Sequence, residues 1–174
     1  LITNGAIGKI RIVKGSYLQG WLGSKEEDTG LNKQAEWRTD PSRSGSAGSV
    51  GDIGSHTMHL IEFITGLKLK SVCSDLTTFV PGRKLDDDAS IMLRLNNGAK
   101  GSLSISQIAT GEENNFSISI YGEKGSLKWS QENPNYAILS KKGEADQTIT
   151  RGGHINFVEA NASTRIPAGH PEGY

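Results

Sequence analysis

The sequence has little cysteine and no long apolar run. Its 174 residues include a single cysteine, Cys73, which cannot form an internal disulfide and is typical of a reducing compartment. The alternating pattern around Cys73 predicts that it packs within a strand. No apolar run approaches the ~20 residues that cross a bilayer, and the first residues do not resemble a signal peptide. We therefore expect a cytoplasmic protein without a membrane partner.

The sequence also lacks an excess of either charge and the common phosphate-binding motifs. Lys and Arg number 19 and Asp and Glu number 19, so the formal net charge is zero at pH 7. This balance gives no electrostatic reason to expect a nucleic acid partner. Neither a G-x-G-x-x-G turn nor a G-x-x-x-x-G-K-[ST] loop is present, and Ser-His-Asp hydrolase signatures are missing too. This chain alone is therefore not expected to bind a dinucleotide tightly.

Hydrophobic periodicity predicts one strand, a long loop and one strong helix in the first part of the chain. Residues Ile10 to Gln19 alternate as in a β-strand. Residues 22–47 are rich in Gly, Ser and charged residues, and a loop of this length is usually functional or disordered. Apolar residues from Val50 to Ile64 then recur at helical spacing, and Gly66 is expected to end the helix.

After Gly66 the pattern has period two almost to the end. Asn97-Gly98 and Lys142-Gly143 are typical hairpin turns, so neighbouring strands should pair antiparallel. The fold class is therefore predicted as α+β, a large open, mainly antiparallel sheet with a helix packed on one face. The other face carries Ser, Thr, Ile and Tyr, which favours a homo-oligomer formed through it. The predicted strands are 68–80, 88–96, 99–109, 115–121, 125–130, 136–140 and 147–150.

Asp52 and His56 are the strongest catalytic candidates. They lie four residues apart at the start of the predicted helix, a spacing that places two side chains side by side on one face. An imidazole changes protonation near neutral pH, so His56 is suited to general acid-base catalysis, with Asp52 orienting it or holding a substrate hydroxyl. The alternative is that Asp52 caps the helix and His56 lies at the edge of the core.

His59 adds a second possibility. Together with Asp52 and His56 it would form a carboxylate and two-histidine set of the kind that binds iron or zinc. His154 and His170 are further ligand candidates by residue type alone. The metal-dependent enzyme is the weaker hypothesis, because the sequence singles out no distant ligand.

The long loop contains a candidate substrate-binding pair, Trp37-Arg38. Arginine offers a planar fork of donors and tryptophan a flat apolar wall, although the same pair could simply anchor a solvated loop. The run from Asp86 to Asp88 is interpreted as a solvated charge run. Further residues predicted to line the cleft are Tyr17, Gln19 and Trp21 at the end of the first strand, and His170 in a turn framed by glycine and proline.

Several short motifs occur in an order that resembles the C-terminal domain of the glucose-fructose oxidoreductase and inositol dehydrogenase superfamily (Gfo/Idh/MocA). The resemblance covers essentially the whole chain. Each motif alone is weak, and their shared order is fairly specific. The motifs are Gly5-Ala6-Ile7-Gly8-Lys9-Ile10, Tyr17-Leu18-Gln19-Gly20-Trp21, Trp37-Arg38-Thr39-Asp40-Pro41, Gly51-Asp52-Ile53-Gly54-Ser55-His56, Asp87-Asp88-Ala89, Asn97-Gly98-Ala99-Lys100-Gly101, Gly122-Glu123-Lys124-Gly125-Ser126-Leu127 and Gly169-His170-Pro171-Glu172-Gly173-Tyr174.

The resemblance implies an NAD(P)-dependent dehydrogenase that acts on a sugar or polyol. Asp52 and His56 match the D-x-G-x-H positions, where the histidine accepts the proton of the substrate hydroxyl and the aspartate helps hold the substrate. Where the family often has a second aspartate, this chain has His59, so the resemblance does not identify the substrate. The resemblance also implies a preceding Rossmann domain, with a catalytic lysine in a Glu-Lys-Pro motif, and neither is in this sequence.

We therefore expect residues 1–174 to be a truncated substrate-binding and oligomerisation domain, whose partners are its own Rossmann domain and a second or further copy in a homodimer or homotetramer. The cofactor of the intact protein would be NAD or NADP. The isolated chain should be inactive and should hold neither tightly. A non-catalytic sugar-binding or assembly module is the remaining alternative.

Overall fold

The computed structural model describes residues 1–153 and 158–170. His154 and the last four residues of the Gly169-to-Tyr174 motif lie outside this part. Within it, eight strands form one sheet in the order β2-β3-β4-β1-β5-β6-β7-β8. The strands are β1 Ile10–Leu18, β2 Leu69–Thr77, β3 Asp88–Leu95, β4 Lys100–Ser106, β5 Asn115–Gly122, β6 Gly125–Ser130, β7 Tyr136–Lys141 and β8 Gln147–Thr150. The α-helices are α1 Lys33–Arg38, α2 Pro41–Ser44, α3 Ser55–Thr65 and α4 Val158–Ser163.

The sheet is open and mainly antiparallel, as the turn pattern predicts. Only the β1–β4 pair is parallel among the described strand pairs. The pair is parallel because the chain leaves β1, passes through the loop and α3, and returns through the β2–β3 hairpin. Both β1 and β4 therefore run toward the same end of the sheet, where the loop and the start of the long helix lie. The predicted α+β fold is confirmed.

Helix α3 packs on one face of the sheet, and a glycine allows it to come close. A Cβ atom at Gly15 of β1 would lie 2.6 Å from Cγ2 of Thr57, a separation that side chains do not tolerate. Thr57 and Ile61 of α3 are both fully buried against this face. The contact fixes the height of α3 above β1 and, with it, the position of the residues that precede Thr57.

The start of the predicted helix is a π-helical turn rather than an α-helix. It spans Val50–Gly54, and the backbone N–H of Ser55 donates to the carbonyl of Val50. Helix α3 continues from Ser55 and ends at Gly66, which is left-handed with φ 67° as predicted. Wide π-helical turns of this kind occur frequently at functional sites. Asp52 lies inside this turn.

The predicted loop of residues 22–47 is correct in extent but is not structureless. It contains a single 3₁₀ turn at Glu26–Thr29 and the short helices α1 and α2. The side chain of Asn32 accepts the backbone N–H of Ala35 and so caps α1, and Asp40 caps α2 in the same way through Ser42. Local caps of this type stabilise helices too short to be recognised from periodicity.

Strand β2 ends earlier than the pattern predicts, and its cysteine is exposed. The backbone N–H groups of Phe79 and Val80 donate to the carboxylate of Asp87, so neither is available to extend the sheet. Cys73 lies on β2 opposite Met92 of β3, as expected for a strand residue, but it is exposed rather than packed. A residue in the sheet can be exposed here because β2 is an edge strand, and nothing in the described part of the chain covers it.

The face of the sheet opposite α3 carries small polar side chains at its centre. Ser16 of β1 pairs with Ser104 of β4 and with Ser117 of β5. These serines, with Ser102 and Ser119, line a shallow depression of about 270 Å³. Around them lie larger exposed apolar side chains, including Met92 at 63% exposure. No helix in residues 1–153 or 158–170 has the length and apolar character needed to cross a membrane.

Candidate active site

A cleft of about 500 Å³ lies where the end of β1, the helical loop and the π-helical turn meet. It opens at the end of the sheet toward which β1 and β4 run. Several of the residues predicted from the sequence line this cleft together. The lining residues from β1 and its continuation are Tyr17, Gln19 and Trp21, and those from the π-helical turn and α3 are Asp52, Ile53 and His56. The others are Asn32, Gln34, Arg38 and Glu113.

Asp52 is held by two donors that reach the same oxygen. Nε of Arg38 and Nε2 of Gln107 each lie 2.8 Å from Oδ2 of Asp52. Charged and neutral donors on one oxygen fix the carboxylate group in position. The alternative that Asp52 caps the helix is wrong, because the residue lies within the π-helical turn and the hydrogen bonds of its side chain point away from the helix start.

His56 lines the same cleft from the first turn of α3 and is exposed to it. The sequence-based expectation that Asp52 and His56 face one opening therefore agrees with the geometry. The hydrogen bonds of the Asp52 side chain go to Arg38 and Gln107 rather than to His56. A direct role of Asp52 in orienting the imidazole stays a prediction. Because Oδ2 already accepts two hydrogen bonds, Oδ1 is the oxygen of Asp52 that remains to accept from a substrate or from His56.

Arg38 occupies the centre of a stacked arrangement. Its guanidinium lies 4.3 Å from the ring centre of Trp37 and 5.8 Å from that of Trp21. Its Nη1 donates to Oε1 of Gln34, which also accepts the indole N–H of Trp37. The guanidinium is thus held by an ion pair, an amide and an aromatic face at once. Trp37 supports Arg38 rather than lining the cleft itself.

The β1 side of the cleft is rigid. Nε2 of Gln19 donates to Oδ1 of Asn114 at 2.8 Å, and the indole N–H of Trp21 donates to Oε1 of Gln19 at 3.0 Å. Tyr17 stacks on Phe116 with ring centres 4.7 Å apart. Both functional groups of the Gln19 amide are therefore engaged in orienting the wall, and Trp21 offers its ring to the cleft in a fixed direction.

The two other predicted histidines lie elsewhere. His59 is exposed on α3 and stacks on Phe63 with ring centres 6.2 Å apart. His170 is exposed beyond β8, where its carbonyl accepts from Nη2 of Arg151 at 2.5 Å. Neither is among the residues that line the cleft in the described part of the chain. Their predicted contact with substrate stays a prediction.

The described residues bring no three His, Cys, Asp or Glu side chains together in a way that could hold a metal ion. Asp52, His56 and His59 all belong to that part, so this set does not form the metal centre that their spacing allowed. The physical reason is the engagement of Asp52 with Arg38, together with the position of His59 beside Phe63.

Asp86 is a site residue that the sequence analysis misinterpreted as part of a solvated charge run. Its carboxylate accepts the backbone N–H groups of Gly48 and Val50 at 2.7 and 2.8 Å and the hydroxyl of Ser49 at 2.8 Å. Its own carbonyl accepts the N–H of Ser49. Asp86 therefore anchors the start of the π-helical turn that carries Asp52, through donors that a helix leaves free at its first residues.

Asp87 belongs to a buried ion cluster and is also not solvated. Arg83 and Asp87 have side chains only 3% exposed, and Nη1 of Arg83 lies 3.5 Å from Oδ2 of Asp87. Nε of Arg83 lies 2.8 Å from Oε1 of Glu27, and its other donors reach the carbonyls of Leu22 and Ser24. The hydrogen bond from Arg83 holds the pKa of Glu27 below its ordinary value. The cluster fastens the first part of the helical loop to the β2–β3 connection.

Gln107 is a supporting residue that sequence reasoning missed altogether, as it missed the lining residues Asn32, Gln34 and Glu113. It follows β4, is 3% exposed, and joins the two parts of the site, because its side chain holds Asp52 while its backbone N–H donates to the carbonyl of Asp87. A glutamine after a strand has no sequence signature. The nearest signal in the sequence is a polar residue at the end of a central strand, where burial is expected and a hydrogen-bonding role is therefore indicated.

A larger and more apolar groove of about 770 Å³ lies between the N-terminal residues, α3, β6 to β8 and α4. Its described lining contains neither a carboxylate nor an imidazole side chain. Because it offers no group that accepts a proton near neutral pH, it is a poorer candidate for catalysis than the smaller cleft.

Comparison with known proteins places this chain in a family. Residues 1–128 match the family described as GFO/IDH/MocA C-terminal domain. An uncharacterized oxidoreductase of Bacillus subtilis (strain 168), YfiI, is 33% identical over 99% of this chain and 44% of its own length. A levoglucosan dehydrogenase of Pseudarthrobacter phenanthrenivorans is 30% identical over 87% of this chain and 42% of its own length.

A solved crystal structure is similar over almost the whole of this chain. The crystal structure of an inositol dehydrogenase homologue from Azotobacter vinelandii, complexed with NAD⁺, superposes with a TM-score of 0.92 at 31% identity. The match covers 99% of this chain and 44% of that one. The chain thus spans less than half the length of these relatives. It belongs to the family of GFO/IDH/MocA C-terminal domains.

Proposed function

We propose that the intact protein is an NAD(P)-dependent oxidoreductase acting on a hydroxyl group of a sugar or polyol, and that this chain supplies the substrate cleft and the proton acceptor. The observation that carries the proposal is the shared cleft, in which His56 and Asp52 face a common space lined by amides and aromatic rings. The relatives support the same activity, since one is a levoglucosan dehydrogenase and another an inositol dehydrogenase homologue bound to NAD⁺.

In this proposal His56 accepts the proton of the substrate hydroxyl that becomes a carbonyl. The imidazole is exposed and lines the cleft, which supports this role. Asp52 holds the substrate through Oδ1, while Arg38 and Gln107 keep its other oxygen in place. A carboxylate that holds the substrate in a fixed position reduces the entropy that is lost on reaching the transition state.

The cofactor of the intact protein is NAD or NADP, which accepts the hydride when bound. The residues of this chain do not fit a dinucleotide-binding role, because the sequence contains no glycine-rich phosphate-binding turn. We therefore assign the dinucleotide to a Rossmann domain outside this chain, and to this chain the binding of substrate and the handling of the proton.

This division of roles can be tested by comparing the full-length protein with the isolated chain. Full-length protein incubated with neutral sugars and cyclitols should reduce NAD⁺ or NADP⁺, followed by absorbance at 340 nm. Residues 1–174 alone should neither turn over substrate nor release measurable heat when titrated with the same dinucleotides. Tight dinucleotide binding by the isolated chain would contradict the division. Sugar binding without reduction by the full-length protein would instead favour the non-catalytic binding module.

We further propose that the face opposite α3 forms a homodimer or homotetramer interface. Small serine side chains at its centre permit close approach of a second sheet, and exposed apolar side chains such as Met92 surround them. A symmetric interface of this kind carries every residue twice, so a single change acts on both sides.

Ser104 is exposed near the centre of this face. Ser104→Arg should lower the mass of the full-length protein, measured by light scattering after gel filtration, toward that of a monomer, because two buried charges would face each other. Ser46→Arg, in the exposed loop before Gly48, is the matched control and should leave the mass unchanged. An unaltered oligomer for Ser104→Arg would contradict the proposed interface.

A further inference from the structure

Gln107 reaches Asp52 from inside the domain. It directly follows β4 and is only 3% exposed, whereas the side chains of Asp52 and Arg38 are each about one quarter exposed. Nε2 of Gln107 lies 2.8 Å from Oδ2 of Asp52, and Nε of Arg38 reaches the same oxygen from the helical loop. Because Gln107 is buried within this chain, a further domain that completes the cleft would not take part in its contact with Asp52.

The backbone of Gln107 is fixed independently of its side chain. Its N–H donates to the carbonyl of Asp87 at 3.0 Å, and its carbonyl accepts the N–H of Leu22 at 3.0 Å. Asp86, the residue before Asp87, anchors the start of the π-helical turn that carries Asp52. Two consecutive aspartates therefore determine where the Gln107 backbone and the Asp52 backbone lie relative to each other, whatever side chain follows β4.

The second donor restricts a rotation that the first leaves open. The torsion that turns an aspartate carboxylate has a broad, roughly two-fold preference, so rotation about it exchanges the two oxygens at little cost. A single donor, Nε of Arg38, fixes one contact but not the plane of the group. Gln107 donates to the same oxygen from a different element, and two donors from two directions determine the direction in which Oδ1 lies.

We propose that Gln107 is a positioning residue, which fixes Oδ1 of Asp52 so that the substrate hydroxyl is held at a constant place relative to His56. This proposal rests on the proposed function and deepens it. Gln107 does not contact the substrate and acts through Asp52. Because a displacement of about 1 Å at a reacting group can cost about 100-fold in rate, loss of this donor should affect the chemical step more than substrate binding.

Gln107→Met in the full-length protein tests the role of the donor. Methionine is similar in length and apolar, so the change removes the donor, adds no unpaired polar group and keeps the backbone hydrogen bonds. With the best sugar or polyol, kcat should fall by about 10- to 100-fold and KM should change by less than about threefold. Gln131→Met makes the same change directly after β6, outside the cleft, and should leave both constants unchanged.

Gln107→Glu separates positioning from packing, because it keeps the shape of the side chain and can donate to Asp52 only when its new carboxyl group is protonated. The charged side chain that it would contact is Asp52, itself paired with Arg38. Burial and the neighbouring carboxylate raise the pKa of such a carboxyl group. The kcat of this variant relative to the parent should therefore be at least about tenfold higher at about pH 5.5 than at about pH 8.5.

The outcomes distinguish this role from the proposed function. An active parent with a Gln107→Met variant of unchanged kcat, or one that loses only substrate affinity, would overturn the positioning role and leave the function intact. If circular dichroism shows that Gln107→Met does not fold, the pH dependence of Gln107→Glu decides, and a ratio to the parent that is independent of pH would overturn the role. A parent that oxidises no sugar or polyol would contradict the proposed function itself.

Discussion

Replacement of His56 by alanine in the full-length protein is expected to lower kcat by about 100- to 10,000-fold, with a smaller effect on KM. A positioned general base contributes roughly this factor to proton transfer. His56 is exposed to the cleft and packs against little of the core, so its removal should not unfold the domain. The measurement is steady-state kinetics with the best sugar or polyol substrate, supported by circular dichroism of both proteins.

His59 provides the comparison on the same helix. It lies three residues further along α3, is also exposed, and contacts Phe63 rather than the cleft. His59→Ala should therefore lower kcat by less than about tenfold. Full activity of His56→Ala, or a larger loss for His59→Ala, would assign the proton acceptor to another residue.

Replacement of Arg83 by methionine should lower the free energy of unfolding by about 3–5 kcal/mol, the usual cost when one partner of a buried ion pair is removed. Asp87 would remain buried without its cation, and the carbonyls of Leu22 and Ser24 would lose their donors. Guanidinium denaturation of the full-length protein, followed by tryptophan fluorescence, measures this change. Lys84→Met removes the same charge from an exposed neighbouring position and should change stability by less than about 0.5 kcal/mol.

The pH dependence of this cluster has a defined sign. Because the hydrogen bond from Arg83 lowers the pKa of Glu27 in the folded protein, the stabilisation is complete above the ordinary value of 4.5. It is lost as the pH falls through the lower value of the folded protein. Glu27→Gln should therefore destabilise the protein at pH 7, and the difference from the parent should shrink at more acidic pH. A difference that is independent of pH would contradict this account.

The architecture of the domain follows largely from local sequence patterns. Period-two alternation and glycine-containing turns gave the strands after Gly66, and helical periodicity gave α3 and its end at that residue. These patterns depend on side chains near one another in the sequence and on one buried face, so they are visible without coordinates. The position of both Asp52 and His56 in one cleft was also expected from their spacing.

The support of the site could not be obtained in this way. Asp86 comes 34 residues after Asp52, yet it anchors the turn that carries Asp52, and Gln107 comes still later and bonds to the Asp52 carboxylate. A run of three aspartates has the same composition whether it is solvated or buried. Only the return of β3 and β4 to the end of β1 determines which of the three meets free backbone N–H groups and which meets Arg83.

The sequence by itself determined the sheet, the long helix and the two residues that face the cleft together, because each of these arises from a regular spacing along the chain. Tertiary structure alone decided that Asp52 bonds to Arg38 and Gln107, and that His59 lies beside Phe63 rather than in the cleft. The physical reason is that hydrogen bonds and charge balance depend on distances across the fold. Those distances are set when the strands assemble.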